Sequence, residues 1–138
     1  MKSQKVNGGY LLVLSRGEPL VRTVVEFCSQ HQAASGWVSG IGAVEGAEIG
    51  FYDLAQKTYQ WRKPDGLHEI LSLSGNVSKW GEQIILHLHL QLADKNFQTV
   101  GGHLKEATVG GTAEIYLQVF GQPLTRTDDP ATGLKLIQ

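Results

Sequence analysis

From Glu82 to Leu92 the chain reads EQIILHLHLQL. In a β-strand successive side chains point to opposite faces. Leu86, Leu88, Leu90 and Leu92 then share an apolar, core-seeking face. His87 and His89 share the other. Asp94-Lys95-Asn96 follows as a turn, and Thr99 to Leu104 (TVGGHL) returns as the partner strand. A hairpin centred near Asn96 sets His89 opposite His103. Directly opposed residues have Cβ atoms ~4.5–5.5 Å apart, a spacing that suits two imidazoles on one ion at ~2.0–2.1 Å each. Three neutral nitrogen ligands with an open fourth position form the pattern of catalytic zinc, whereas structural zinc sites are closed by four ligands, often cysteines. His87, His89 and His103 are therefore the candidate metal ligands, with Zn²⁺ the expected ion. The assignment depends on register, because a one-residue slip sends His103 to the other face.

Outward from this hairpin the chain continues to read mainly as strands. Tyr10 to Leu14, Trp37 to Val44, Ala47 to Asp53, Lys57 to Arg62, Leu67 to Leu73 and Thr112 to Phe120 are apolar or alternating runs bounded by turn residues. Gly46, Pro64-Asp65-Gly66, Gly75-Asn76 and Gly110-Gly111 are read as breaks. Leu134 to Ile137 is read as an edge strand. One helix opens at Glu18-Pro19, with Leu20, Val24, Phe27, Cys28 and His31 inward, and ends between Gln32 and Ser35 with Gly36 as its stop. The expected architecture is α+β: a single domain over residues 1–138, a mostly antiparallel twisted sheet with one main helix.

Composition narrows the function classes. The 138 residues carry 12 Lys+Arg, 13 Asp+Glu and a net charge of -1, so bulk attraction to polyanions is not built in. A hydrophobic content of 41% against 18% charged argues for a folded core. With one cysteine there is no intrachain disulfide, and Cys28 lies among apolar helix residues as a core side chain. No apolar run approaches the ~20 residues of a membrane span, and no secretory signal is visible. A cytoplasmic, reducing compartment is the expectation. His31, ending the helix, is read as a cap, and His68 as a surface or subunit-contact residue. Glu69, Glu106 and Glu114 are candidate proton carriers near a metal, and the spacing selects none of them. Trp37, Trp61, Trp80, Tyr52 and Tyr59 are read as core or interface, with a cleft lining as the alternative.

Several segments together resemble the PPC domain, the plant-and-prokaryote conserved domain also called DUF296. They are Ser39-Gly40-Ile41-Gly42-Ala43, Ile49-Gly50-Phe51-Tyr52-Asp53, Glu69 to Gly75, His87-Leu88-His89, Val100 to Leu104, Glu114-Ile115 and Thr132-Gly133-Leu134. The resemblance runs in order through nearly the whole chain. It implies a homotrimer with contacts along sheet edges. The family's plant members join the domain to AT-hook motifs that bind DNA. No Arg-Gly-Arg-Pro core occurs here, and the nearest stretch, Ser15-Arg16-Gly17-Glu18, carries an acid. Plant members also use a Gly-Arg-Phe-Glu-Ile-Leu stretch for partner contacts, where this chain has Gly66-Leu67-His68-Glu69-Ile70-Leu71. DNA as a partner and a transcription-regulatory module thus form the alternative reading. At fold level the domain is similar to acetolactate decarboxylase, a zinc enzyme with an H-x-H pair and one later His. That likeness implies a zinc-dependent lyase or hydrolase acting on a small-molecule ligand. Its catalytic Glu and Arg positions have no matching motif in this chain, so Glu69 and Glu114 are acid/base candidates by residue type alone.

Overall fold

The computed structural model describes all 138 residues. The elements in order are β1 (Lys2–Val6), β2 (Gly9–Ser15), α1 (Leu20–Gln30), β3 (Gly36–Asp53), β4 (Thr58–Arg62), β5 (Leu67–Trp80), β6 (Gln83–Ala93), β7 (Thr99–Val119), β8 (Arg126–Asp129) and β9 (Leu134–Ile137). The first seven strands form one sheet in the order β1-β2-β7-β6-β5-β3-β4, paired antiparallel throughout. The expected mostly antiparallel sheet with one helix is the fold observed.

The long strands carry the sheet around on itself. β3 pairs with β5, β5 with β6, β6 with β7, and β7 again with β3. Closure of this kind encloses apolar side chains and leaves only the short strands β1 and β4 at the sheet's edges. The enclosed face supplies one core, including Val38, Val44, Ile49, Leu73, Leu88, Leu90, Leu92, Leu104, Ile115 and Leu117. Full burial of each such side chain stabilises by about 1.5–3 kcal/mol before chain entropy is counted. Helix α1 packs against β7 and β6 and buries Leu20, Val24, Phe27 and Cys28 on that core.

Four boundaries differ from the sequence expectation. Gly46 does not end a strand: β3 runs through it, and its φ of +62° accommodates a bulge where the β3–β7 register shifts between Glu45 and Glu48. Gly75 and the Gly110-Gly111 pair likewise lie inside β5 and β7. Helix α1 stops at Gln30, with His31 as C-cap and Gln32 at φ +54°, which leaves Gly36 free to begin β3. Leu134 to Ile137 is a strand as expected, but it pairs with β8 in a separate two-stranded ribbon. The ribbon is tied to β5 through Lys79 N–H to the Leu124 carbonyl at 2.8 Å.

Candidate metal centre

The register in β6 and β7 is the one the turn at Asp94 dictates. Asp94 Oδ1 accepts from the N–H groups of Asn96 and Gln98 at 2.8 and 2.9 Å, which fixes the reversal. His89 then pairs with His103, Leu90 with Gly102 and Leu92 with Val100. Laterally, Ser74 on β5, His89 on β6, His103 on β7, Gly50 on β3 and Trp61 on β4 form one row across five strands. The leucine face of β6 is buried, and the histidine face looks away from the core.

Three imidazoles converge on that outer face. Ring centroids of His87 lie 5.2 Å from His89 and 5.0 Å from His103, and those of His89 and His103 are 5.5 Å apart. One nitrogen from each ring lies within 4.8 Å of the others. His103 Nδ1 is buried and has no hydrogen-bond partner in the chain. A buried polar nitrogen without a partner is costly, which fits a ring whose partner is a bound group rather than the chain. Burial, then His87 and His89, push the His103 pKa down to about 4. His87 is lowered by burial, with Arg126 and His89 adding to it. Both rings are therefore neutral at pH 7, the form in which imidazole ligates a metal. The donor set fits a zinc-type ion. Other imidazole-binding ions share this preference.

Aromatic residues build the wall beside His103. The Tyr59 ring lies 4.9 Å and the Trp61 ring 6.1 Å from it, centroid to centroid. Gly50 makes this possible. A Cβ there would fall 2.7 Å from Trp61 and 2.9 Å from Tyr59, so only glycine lets the two rings lie across the row. The cleft-lining alternative for Tyr52, Tyr59 and Trp61 holds: all three face a cavity of about 610 Å³ that His87 and His103 also line. A second depression of about 500 Å³ opens on the His89 side, bounded by Ser72, Ser74, Gln91 and Gly101.

The acidic candidates stand elsewhere. Glu69 pairs with Ala93, four residues along β6 from His89, a separation of roughly 13 Å. Glu114 lines a separate hollow with Ser39, Ile41 and Tyr116. Glu106 caps α1: its carboxylate accepts from Val21 N–H at 2.7 Å and Arg22 N–H at 3.1 Å. His68 is not a surface residue. It is 5% exposed, with Nδ1 3.2 Å from the Gly66 carbonyl oxygen. His31 is at the helix end as expected, stacked on Phe27 with Nδ1 3.0 Å from its carbonyl oxygen.

Arg126 had no sequence signal. It opens β8 within a run of polar turn-formers, where a charged side chain reads as solvated. Yet it is 9% exposed. Its Nε donates to Ser78 Oγ at 2.7 Å, Nη2 to Asn76 Oδ1 at 2.8 Å, and Nη1 to the Lys135 carbonyl. Nη2 also lies 3.5 Å from His87 Nδ1.

The fold is a coiled, self-closing antiparallel sheet with three imidazoles gathered on its outer face. The chain belongs to the Plants and Prokaryotes Conserved (PCC) domain family, whose model matches residues 1–121. Among solved structures it is similar to a candidate DNA-binding protein from Bacteroides thetaiotaomicron, with 27% identity and a TM-score of 0.96 over 99% of this chain and 96% of that one. It is also similar to a metal-containing protein from Archaeoglobus fulgidus, with 36% identity and a TM-score of 0.87 over 99% and 95% of the two chains. A plant- and prokaryote-conserved protein from Pyrococcus horikoshii has 29% identity and a TM-score of 0.89 over 99% and 93%. A curated relative, the bifunctional protein GlmU of a Synechococcus strain, is 35% identical over 127 residues, which are 90% of this chain. This chain spans about a fifth (19%) of that protein's length. No helix is long and apolar enough to cross a membrane.

Proposed function

We propose that this domain binds one divalent metal ion, zinc by its donor chemistry, through His87, His89 and His103, and presents it to a small-molecule ligand. The observation that carries the reading is the convergence of three imidazoles, one nitrogen from each within 4.8 Å of the others, at a cluster where His103 Nδ1 is buried without a partner. Such an ion, when bound, supplies a Lewis acid with a coordination position left open to water or a ligand oxygen. The residues do the positioning. β6 and β7 fix the angle between His89 and His103, and Tyr59 and Trp61 form an aromatic wall beside His103. The metal-containing protein from Archaeoglobus fulgidus, alike in fold and sequence, adds support.

The chain assembles, in this reading, as the homotrimer that the family resemblance implies, in the cytoplasm. Support comes from Ile41 and Leu71, 57% and 51% exposed, which share a hollow with Ser72 near the His89 opening. No acid lines either depression beside the histidines. Glu69 and Glu114 enter this reading as groups that a neighbouring copy would have to bring to the ion. DNA binding is the second reading, favoured by the candidate DNA-binding neighbours. The net charge of -1 limits it to weak, salt-sensitive association.

Elemental analysis of the purified, tag-free chain tests the metal: about one ion per chain is expected, lost on His87→Ala with His89→Ala. A content well below one, unchanged in that variant, overturns the reading. Sedimentation equilibrium with and without chelator gives the oligomeric state.

A further inference from the structure

We propose that the cavity on the His87 and His103 side binds a small organic carboxylate, held by the Arg126 guanidinium with one oxygen turned toward the imidazole-bound ion. This rests on the metal reading above and names the ligand class for the same site. The first observation is charge. Lys57, Arg126 and Lys135 line the cavity, and no aspartate or glutamate does. The second is that Arg126 is a buried cation without a counter-ion. The ion pairs of the chain are Met1–Glu18, Lys63–Glu48, Lys79–Glu82 and Lys105–Glu48, and none includes it. All its partners are neutral: Ser78, Asn76, the Lys135 carbonyl and His87.

A buried charge that is hydrogen-bonded yet unpaired remains costly. The Nη2 contact with His87 Nδ1, at 3.5 Å, lies outside the ordinary 2.7–3.2 Å range and leaves a donor poorly used. A divalent ion on the imidazoles adds a second positive centre beside this one. The two repel unless an anion lies between them. A carboxylate meets both, since one oxygen can accept from the guanidinium donor that His87 uses poorly while the other reaches a metal. Lys57 is tied to the Pro130 carbonyl at 2.6 Å, and Lys135 sits 4.1 Å over the Trp80 ring. They supply field to the cavity without closing it. Tyr59, Trp61, Leu134 and Leu136 make much of the remaining wall apolar. That favours a carboxylate with an apolar body over an inorganic oxyanion.

Benzoate is a suitable probe, with benzamide as its uncharged counterpart and inorganic phosphate as the competing oxyanion. In the Co²⁺-loaded full chain, visible absorption bands report the metal, and a change in them on adding benzoate reports the anion. Saturation-transfer NMR of benzoate on the metal-free chain reads the Arg126 contact without the ion. Benzoate is expected to bind and benzamide not. Arg126→Gln is expected to weaken benzoate roughly tenfold or more, as loss of a charge-assisted contact should, while Arg126→Lys keeps part of the binding. Absence of Co²⁺ bands overturns the metal reading alone, because the NMR arm still decides the anion. Equal binding of benzoate and benzamide overturns the inference, as does benzoate binding unchanged in both Arg126 variants. Phosphate displacing benzoate at equal concentration overturns the organic part. If Arg126→Gln fails to fold, Arg126→Lys against the natural chain decides, with unchanged benzoate affinity as the overturning result.

Discussion

Replacing Glu106 with alanine should destabilise the fold and leave the metal site alone. Helix α1 begins at Leu20 after Pro19, with no side-chain cap of its own and no acid in its first turn. Its cap comes from 85 residues away: Glu106 Oε1 accepts from Val21 N–H at 2.7 Å and from Ala107 N–H at 2.9 Å, while Oε2 accepts from Arg22 N–H at 3.1 Å. Loss of a cap costs about 0.5–2 kcal/mol. The favourable placement of a negative charge at a helix N-terminus adds about 0.3–1 kcal/mol. Arg22 is exposed and water replaces its acceptor, so that bond counts for little. Val21 is half-buried and its N–H loses more. Glu106→Ala should therefore cost about 1–3 kcal/mol, and Glu106→Gln, which keeps one acceptor, about 1 kcal/mol or less. With a urea m-value of about 2–3 kcal/mol/M for a chain of this size, the alanine midpoint should fall by roughly 0.5–1 M. Far-UV circular dichroism in urea measures it, with metal content measured on the same samples. An alanine variant within about 0.5 kcal/mol of the natural chain would refute the capping argument. Unchanged stability with lost metal would instead return Glu106 to the list of site residues.

Gly75→Ala should disturb the site through the backbone. An added Cβ would fall 1.9 Å from the His87 carbonyl oxygen and 2.9 Å from Leu88 Cα, so β5 and β6 must part. Overpacking of this kind costs about 1–3 kcal/mol. Metal titration should show weaker binding, and unaltered affinity with unaltered stability would refute the close approach. Acid should weaken the metal-free chain through His103. Its folded pKa is about 4 against an ordinary 6.5, so the unfolded state binds more protons between those values and stability falls as pH drops from 6.5 toward 4. The ring is only partly buried, and with solvent screening the loss is on the order of 1–2 kcal/mol. Urea midpoints at pH 7 and pH 4.5 in chelator check it, and the difference should shrink in His103→Asn. Burial raises the Cys28 thiol to about 12, so it holds almost no thiolate at pH 8. Ellman's reagent should label it only after unfolding, and rapid labelling of the native chain would refute its place in the core.

The three-histidine cluster was legible because it rests on short-range rules. Strand alternation puts His87 and His89 on one face, and a short turn sets His89 against His103. Arg126 was illegible because its meaning is long-range. Its partners Ser78, Asn76 and His87 lie 39 to 50 residues away, and nothing local marks a charged residue in Arg126-Thr127-Asp128-Asp129-Pro130 as buried. Glu106 was misread for the same reason, since a cap supplied across the fold leaves no pattern near the helix. Glycines misled in the opposite way. Gly46, Gly75 and Gly110-Gly111 read as strand ends by local chemistry. In a sheet that coils back on itself the same residues serve bulges and close backbone approach, so strands that look broken run on.

The two faces of β6 show how this fold serves its site. Leu88, Leu90 and Leu92 are locked into the core, so the strand cannot slide without exposing all three. That holds His87 and His89 in register with no direct investment in the outer face. The outer face is therefore free to carry groups that cost stability: neutral imidazoles crowded together, a buried nitrogen with no partner, and an unpaired guanidinium. Each is unfavourable on its own, and the proposed cation with its anion would relieve all three at once. On this argument the metal and the carboxylate should bind with positive cooperativity, each raising the affinity for the other by the same factor. Titrating benzoate at rising Co²⁺ occupancy measures the coupling, and independent binding of the two would show that the guanidinium and the imidazoles do not share one ligand.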